Sequence, residues 1–454
     1  MSDLLTAPRG ELIQLIYELT ERVEMLEGEL ARVKAELHGK GNDTSQTKIP
    51  SFVKPNKKQK KKTIRKKRNT AYVRRKETPT EQVFHTSQNC SNCGDVLFGK
   101  PTVAYTHQVI DIPAVSYTVT EHVVFKRWCF RCKRRITPGI DLSGQVIGKK
   151  RIGVNLAATI ATMRDRLRIP LNIIKTYLRI FHELSLSEGE IVKILDTVAK
   201  TGKPQYNNLL EQIRKSNSVH ADETGGRQNG VNGYFWSFST KDIHYLMYRK
   251  SRGKTVVEEV VGTDSDKFNG VLTTDFYAAY NTYAGFHQRC WVHYLRDIHE
   301  LKKNYKKHPP LNKWAKQVKQ IYEEAKAYTG PDPNLPIGIQ TEERLKKQRE
   351  FEERLKAVCM PHVKKDTPMS ILAARAITFL PELFVFIRFP DVKSDNNPAE
   401  RIIRHTVVAR KISGGTKTPK GSETKAILTS LFDTWQLQNL NPFQQCKLLL
   451  STCQ

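Results

Sequence analysis

Three shortages set the first limits on this chain. Acid is scarce: 46 Asp and Glu stand against 75 Lys and Arg in 454 residues, a formal net charge of +29. Such an excess favours an extended polyanion, because neutralising phosphates with Lys and Arg releases counterions. A ribosome-like structural protein can be as basic, so charge alone does not separate enzyme from scaffold. Long apolar runs are missing too. None approaches the roughly 18–20 residues of a membrane span, and no signal-peptide pattern follows Met1, so no membrane partner and a cytoplasmic location are expected. Cysteine is sparse, with eight in the chain, too few for a disulfide scaffold. At roughly 100–200 residues per domain, the length predicts three or four folded units.

Four of the eight cysteines are arranged as metal ligands. Cys90 and Cys93 form one Cys-x-x-Cys knuckle and Cys129 and Cys132 a second. Four thiolates close a tetrahedral Zn²⁺ site with no open position, so the predicted role is structural, with one zinc per chain. A pair of redox motifs is the alternative, but no thioredoxin-like βαβ pattern surrounds them. The stretch 104–124 has period-two segments and is expected to supply a hairpin between the knuckles. Lys126, Arg127, Arg131, Lys133, Arg134 and Arg135 make the second knuckle a candidate DNA contact.

Ahead of the knuckles, Leu12, Leu19, Leu26 and Val33 repeat every seven residues, interleaved with Ile16, Val23, Leu30 and Leu37. Taking the second set as a and the first as d predicts a parallel two-stranded coil, weakened by Gly28. One amphipathic helix packed on its own domain is the alternative. The periodicity then stops. Lys57, Lys58, Lys60, Lys61 and Lys62, with Arg65, Lys66, Lys67 and Arg68, lie in a one-signed run that predicts a disordered arm tracking phosphates.

Beyond the knuckles, 156–168, 171–183 and 188–199 carry helical periodicity, and Ser187 with Glu190 forms a capping-box start. The short connection between the second and third helices permits a helix-turn-helix. From His220 the pattern changes to strands. Asn229-Gly230 and Asn232-Gly233 are turn signals, 234–240 and 243–248 suit a hairpin, and 267–274 gives a further strand. The stretches 300–327 and 341–358 read as basic helices.

Three acids stand out against this background. Asp222 and Asp275 each close a predicted strand, and Glu400 falls in the first turn of a predicted helix. Carboxylates delivered this way can converge on two Mg²⁺ ions, which take hard oxygen ligands and serve phosphodiester cleavage or strand transfer. Each acid also has a structural role open to it. Asp222 can shape the turn before Gly225, and Asp275 can cap a helix starting at Phe276. Glu400 can complete a capping box, with Asn397 as N-cap and Pro398 at the first helical position. Taken together, in a chain this basic, metal chemistry is the better account. Tyr277 and Tyr280 are the candidates for a rival chemistry, a covalent tyrosine nucleophile.

At these residues the chain resembles the insertion sequence 66 family of bacterial transposases, enzymes of the DDE type with a ribonuclease-H-like core. The resemblance rests on His220-Ala221-Asp222-Glu223-Thr224, on Thr274-Asp275-Phe276-Tyr277-Ala278-Ala279-Tyr280, on Asp395-Asn396-Asn397-Pro398-Ala399-Glu400-Arg401, and on Ala409-Arg410-Lys411-Ile412-Ser413-Gly414-Gly415. It covers nearly the whole chain. It implies Asp222, Asp275 and Glu400 as the catalytic triad, holding two Mg²⁺ or Mn²⁺ per active site. Arg401, Arg404, Arg410 and Lys411 would clamp phosphates of double-stranded DNA, both element terminal repeats and target. Cys290-Trp291-Val292-His293 is similar to a Cys-x-x-His signature of several such transposases, with a buried Cys and a hydrogen-bonded His as the alternative. Many relatives have a bulkier residue at Gly226.

The expected fold is a multidomain α+β chain. Residues 1–40 form the coiled coil, 41–80 the basic linker, 81–150 the four-cysteine zinc-binding unit and 151–216 the helical unit. Parts 217–299 and 391–430 make a ribonuclease-H-like α/β core, separated by a helical insertion at 300–390 and followed by a helical tail at 431–454. Homodimers or larger assemblies through the coil, possible accessory proteins and a nucleoid-associated bacterial setting are the implied context. A non-catalytic, domesticated DNA-binding regulator is the alternative function.

Overall fold

The computed structural model describes residues 78–110, 116–148, 151–263, 267–363 and 366–452. The predicted coiled coil and the basic arm, Lys57 to Arg68 included, lie outside the described residues. The chain divides into two compact units, Met1–Asp111 and Ile112–Gln454.

In the first unit the Cys90 knuckle sits on a tight turn. Asn89 bridges Val96 antiparallel, Gly94 N–H donates to the Cys90 carbonyl at 2.9 Å, and Gly94 takes a φ of +83°. Only glycine adopts that conformation without a Cβ penalty. The second unit opens with a short antiparallel hairpin, β1 (Arg127–Cys129) and β2 (Arg134–Ile136), folded around the Cys129 knuckle. Among the described residues of 104–124 there is no strand. The expected hairpin between the knuckles is therefore replaced by pairing at the knuckles themselves, where the turn brings two backbones together.

Three helices follow: α1 (Val154–Asp165), α2 (Leu171–His182) and α3 (Glu188–Arg214). The capping box at Ser187 is formed in both directions, Glu190 N–H to Ser187 Oγ at 3.2 Å and Ser187 N–H to Glu190 Oε2 at 2.9 Å. α3 does not stop near Ala199; it continues through Pro204 to Arg214. Proline costs a helix interior about 3 kcal/mol. Burial of Gly202, Leu209 and Ile213 holds this one together.

The central sheet has five strands in the order β5-β4-β3-β6-β7: β3 (Ser218–Gln228), β4 (Val231–Ser239), β5 (His244–Arg249), β6 (Val271–Thr274) and β7 (His287–Arg289). The pairs β3–β4 and β4–β5 are antiparallel, β3–β6 and β6–β7 parallel. Asn229 and Gly230, both at positive φ, make the two-residue turn between β3 and β4. Asn232-Gly233 reads as a second turn in the sequence but lies inside β4. Helix α4 (Lys254–Val261) crosses from β5 to β6. One hydrophobic core joins the sheet to α1–α4 and to two later helices.

After β7 come α5 (Trp291–Asn304), α6 (Pro309–Ala327), α7 (Ile337–Cys359), α8 (Ser370–Thr378), α9 (Leu380–Leu383) and α10 (Val385–Arg388). The predicted helix 300–327 is two, broken where Pro309 and Pro310 stand. These helices bury their own cluster around Trp291, Trp314, Phe351 and Phe384. The chain then returns to the sheet as α11 (Asn397–Ser413), α12 (Pro419–Leu437) and α13 (Pro442–Thr452). The protein is a mixed α+β fold with two sheets and thirteen α-helices among the described residues. No helix among them is long and apolar enough to cross a membrane.

Candidate active site

The parallel ladder between β3 and β6 ends at the pair His220↔Thr273. Asp222 and Asp275 each lie two residues past that pair, so they occupy matching positions where the strands part and leave the same face. Asp275 follows the end of β6, as the sequence predicts. Asp222 does not close its strand. β3 runs on to Gln228 because its antiparallel partner β4 stays paired to Gln228↔Val231 after β6 has stopped. Locally, Asp222 Oδ1 accepts the Glu223 N–H at 2.8 Å, and Asp275 Oδ1 accepts the Tyr277 N–H at 2.9 Å. Asp275 tightens this turn; the short 3₁₀ helix beyond it starts at Ala278, not Phe276.

Glu400 arrives from α11, and Asn396 fixes that helix. The N-cap is Asn396, one residue earlier than the sequence suggests, which makes Glu400 the fourth helical residue and removes the capping box. Its N–H instead closes the first turn on the Asn396 carbonyl at 3.2 Å. The Asn396 side chain leaves the helix end uncapped and reaches β3, donating Nδ2–H to the Ala221 carbonyl at 2.8 Å. Its Oδ1 lies 3.1 Å from His220 Nδ1, and its N–H donates to Cys290 Sγ at 3.1 Å. Farther along α11, His405 Nδ1 stands 3.1 Å from Asp433 Oδ1 and its Nε2 2.9 Å from the Asp165 carbonyl. Carboxylate and carbonyl both only accept, so these two partners favour the protonated ring, although Arg166 Nη1 also lies 3.5 Å from Nδ1. Burial, the largest single influence, opposes that charge, but the Asp433 hydrogen bond and the charges of Asp165 and Asp433 together outweigh it and raise the His405 pKa.

The three acids share one electrostatic field. Burial raises the Asp222 pKa to about 7, with Glu223, Asp275 and Glu400 adding like charge. Glu400 Oε1 is buried without a hydrogen bond, as is His293 Nδ1. The basic groups nearest Glu400 Oε1 are the His293 ring, Nε2 at 3.5 Å, and the Arg296 guanidinium, Nη2 at 3.9 Å. Among the described residues no group of three or more His, Cys, Asp or Glu stands ready-set around one metal position. The donor chemistry nonetheless fits a hard dication: mutually repelling carboxylates, one with its proton held by burial, another with a bare oxygen.

Several residues here escape sequence reasoning. Arg289, fully buried, donates to the Asp275 carbonyl at 2.9 Å and to Asn281 Oδ1 at 2.7 Å, and pairs with Glu382. It holds the Asp275 backbone as Asn396 holds Ala221. Glu223 accepts from Tyr280 Oη at 2.6 Å and from Arg252 Nη2 at 2.6 Å. No sequence signal marks Arg289, since its strand is three polar residues, His287–Arg289, whose burial only the fold shows. Tyr280 is wholly buried, with burial and Glu223 pushing its pKa well above the usual value, which removes it as a nucleophile. Tyr277 is committed to the Arg252 carbonyl at 2.9 Å.

Cys290 is a buried acceptor for the start of α11, its thiol pushed up to about 11 by burial, while His293 faces Glu400. Arg401, Arg404 and Lys411 lie exposed on α11, and Arg410 is half-buried against β3. In each Cys-x-x-Cys knuckle the first thiol is held below its ordinary pKa by backbone N–H groups: Asn92 and Cys93 for Cys90, Cys132 for Cys129. The Cys132 N–H stands 3.4 Å from Cys129 Sγ.

Known proteins bear on this arrangement. The family described as "Transposase IS66 family" matches residues 149–424, and "zinc-finger binding domain of transposase IS66" matches 87–133. The first covers well over half of the chain and spans the sheet, the helical insertion and α11. The chain belongs to the IS66 family of transposases. It is similar to a Sinorhizobium fredii protein named "Uncharacterized protein y4jD", 24% identical over 273 residues, or 53% of this chain. The match spans 51%, about half, of that relative's length.

Proposed function

We propose that the protein is a DNA transposase that cleaves phosphodiester bonds and transfers strands through Asp222, Asp275 and Glu400. The observation that carries this reading is the matched register of the two aspartates, with Glu400 brought to the same field by α11. The sheet, three antiparallel strands followed by two parallel ones, supports a ribonuclease-H-like core. Mg²⁺ or Mn²⁺, two ions per site held by these carboxylates, would supply activation of the attacking oxygen and stabilisation of the leaving one. Hydrolysis of one bond frees a 3′-hydroxyl at the element end, which then attacks a target phosphodiester. The protein's own part is positional and electrostatic. Asn396 and Arg289 fix the backbones beside Asp222 and Asp275, and burial holds the Asp222 proton until a cation replaces it. Arg401 and Arg404, exposed one and four residues on from Glu400, would bind flanking phosphates of double-stranded DNA.

Cys90, Cys93, Cys129 and Cys132 would hold one structural Zn²⁺, since the lowered thiols of both knuckles favour thiolate. Self-association through the 12–37 heptads and phosphate tracking by the 54–76 arm complete the proposal. The test is cleavage and joining of element-end DNA by purified protein with Mg²⁺ or Mn²⁺. DNA binding with no metal-dependent nicking at any concentration would assign the chain to a regulator instead.

A further inference from the structure

Lys425, on α12, is a half-buried basic residue that forms no ion pair among the described residues. Its Nζ lies over the Phe235 ring, 4.9 Å from the centroid. Phe235 pairs with Thr224 as Ser237 pairs with Asp222, so the ring lies on Asp222's face of the sheet. It stands two residues further along β3, about 7 Å at the usual rise. The ring packs flat on the strand because residue 226 is glycine; a Cβ there would stand 2.8 Å from it.

Two arginines come near the same stretch of β3. Arg410, from Glu400's own helix, brings Nη1 to 3.3 Å from the position a Gly225 Cβ would take, one residue from Thr224 and on the side that alternates away from Phe235. Arg164, in the last turn of α1, donates to Ser413 Oγ at 2.9 Å and the Ile169 carbonyl at 3.1 Å, both neutral acceptors. Among the described residues neither Arg410 nor Lys425 forms an ion pair. Burial first, then the charges of Arg164 and Arg410, depress the Lys425 pKa to about 8. Asp165 opposes this, yet its own carboxyl is raised by burial and accepts from Thr429 at 2.7 Å. Buried charge is ordinarily paired. Here Lys425 feels the charges of Arg164 and Arg410 beside the candidate active site, with Asp165 opposing them.

We propose that Lys425, Arg410 and Arg164 form a binding site for a single backbone phosphate of DNA, adjacent along the strand to the phosphodiester that reacts at Asp222. This rests on the reading of DNA as substrate. A monoanionic phosphodiester supplies the missing charge, and arginine and lysine together give it both fork and point contacts.

The experiment measures duplex binding by the full-length protein in EDTA across a salt series, for wild type, Lys425→Met, Lys425→Arg and Arg410→Gln. Methionine keeps the stem on Phe235, and thermal melting checks that each variant folds. Losing one phosphate contact lowers the slope of log K against log salt by about 0.9. Lys425→Met and Arg410→Gln are expected to show that loss and Lys425→Arg to retain the wild-type slope. An unchanged slope in folded Lys425→Met overturns the proposal. In parallel, acylation of Lys425 at pH 8 is read by peptide mass spectrometry, with duplex DNA or inorganic phosphate as protectant. Protection by DNA alone supports the site; protection by inorganic phosphate at equal concentration, or by neither, overturns it. Because binding is read without divalent metal, the two readings fail separately. A Lys425→Met effect in a protein that never cleaves DNA removes only the catalytic reading. A silent Lys425→Met in a protein that cleaves removes only the phosphate site.

Discussion

The carboxamide of Asn396 donates to the carbonyl of Ala221 at 2.8 Å, across 175 residues of sequence. It takes that carbonyl just past the last β3–β6 pair and one residue before Asp222, so the helix carrying Glu400 is fastened to the strand carrying Asp222. Replacing Asn396 by Ala leaves the Ala221 carbonyl and His220 Nδ1 without their partner, a loss of about 1–3 kcal/mol in stability. The expected outcome is a lower melting temperature with DNA binding kept and turnover reduced more than binding. Equal cleavage rates in wild type and Asn396→Ala would show that the tether does not position Glu400.

Glu400→Gln tests the third carboxylate. A capping role is already removed by the position of Glu400 as the fourth residue of α11, so folding and DNA binding should be untouched. Divalent-metal-dependent cleavage and joining should fall roughly 100-fold or more, because an amide is a poor ligand for a hard dication. Wild-type rates would exclude Glu400 and turn attention to Asp395 and Glu423. Both are engaged elsewhere: Asp395 Oδ1 accepts the Asn397 N–H at 3.0 Å, and Glu423 pairs with Lys203.

The Asp222 pKa of about 7, against the ordinary 3.8, carries a pH signature. Between those values the folded metal-free protein holds a proton that the unfolded chain has lost. Stability therefore declines as pH rises from about 4 to about 7 and is flat above. Asp222→Asn should abolish this part of the decline, seen as a higher melting temperature than wild type at pH 8 in EDTA. Mg²⁺ must displace the proton, so its affinity should increase as pH rises through 7, with proton release on binding. A calorimetric titration at pH 6 and pH 8 with equal affinities would contradict this.

Zinc analysis of freshly purified, reduced protein should give about one Zn²⁺ per chain, lost in Cys90→Ser and in Cys132→Ser. Metal-free protein with both knuckles intact would remove zinc from the proposal.

Local signals in the sequence reach only a few residues, and what they could reach they determined. The Ser187–Glu190 capping box, the Asn229-Gly230 turn and the β4–β5 hairpin were all legible, because each depends on residues close to one another in the chain. The turn at Asn232-Gly233 was not: pairing of these two residues with Arg227 and Gly226 of β3 overrides its local preference. Nor was the continuation of α3 through Pro204, where packing outweighs the cost of proline. What only the tertiary structure decided is how each acid is held. Asp222 lies within its strand because β6 ends sooner than β4. Glu400 is not a capping residue because Asn396 spends its side chain on β3. Arg289 and Lys425 gain their roles from partners on other elements of the fold. No period or motif encodes such pairings, since they exist only once burial has brought distant segments together and left their polar groups to satisfy one another.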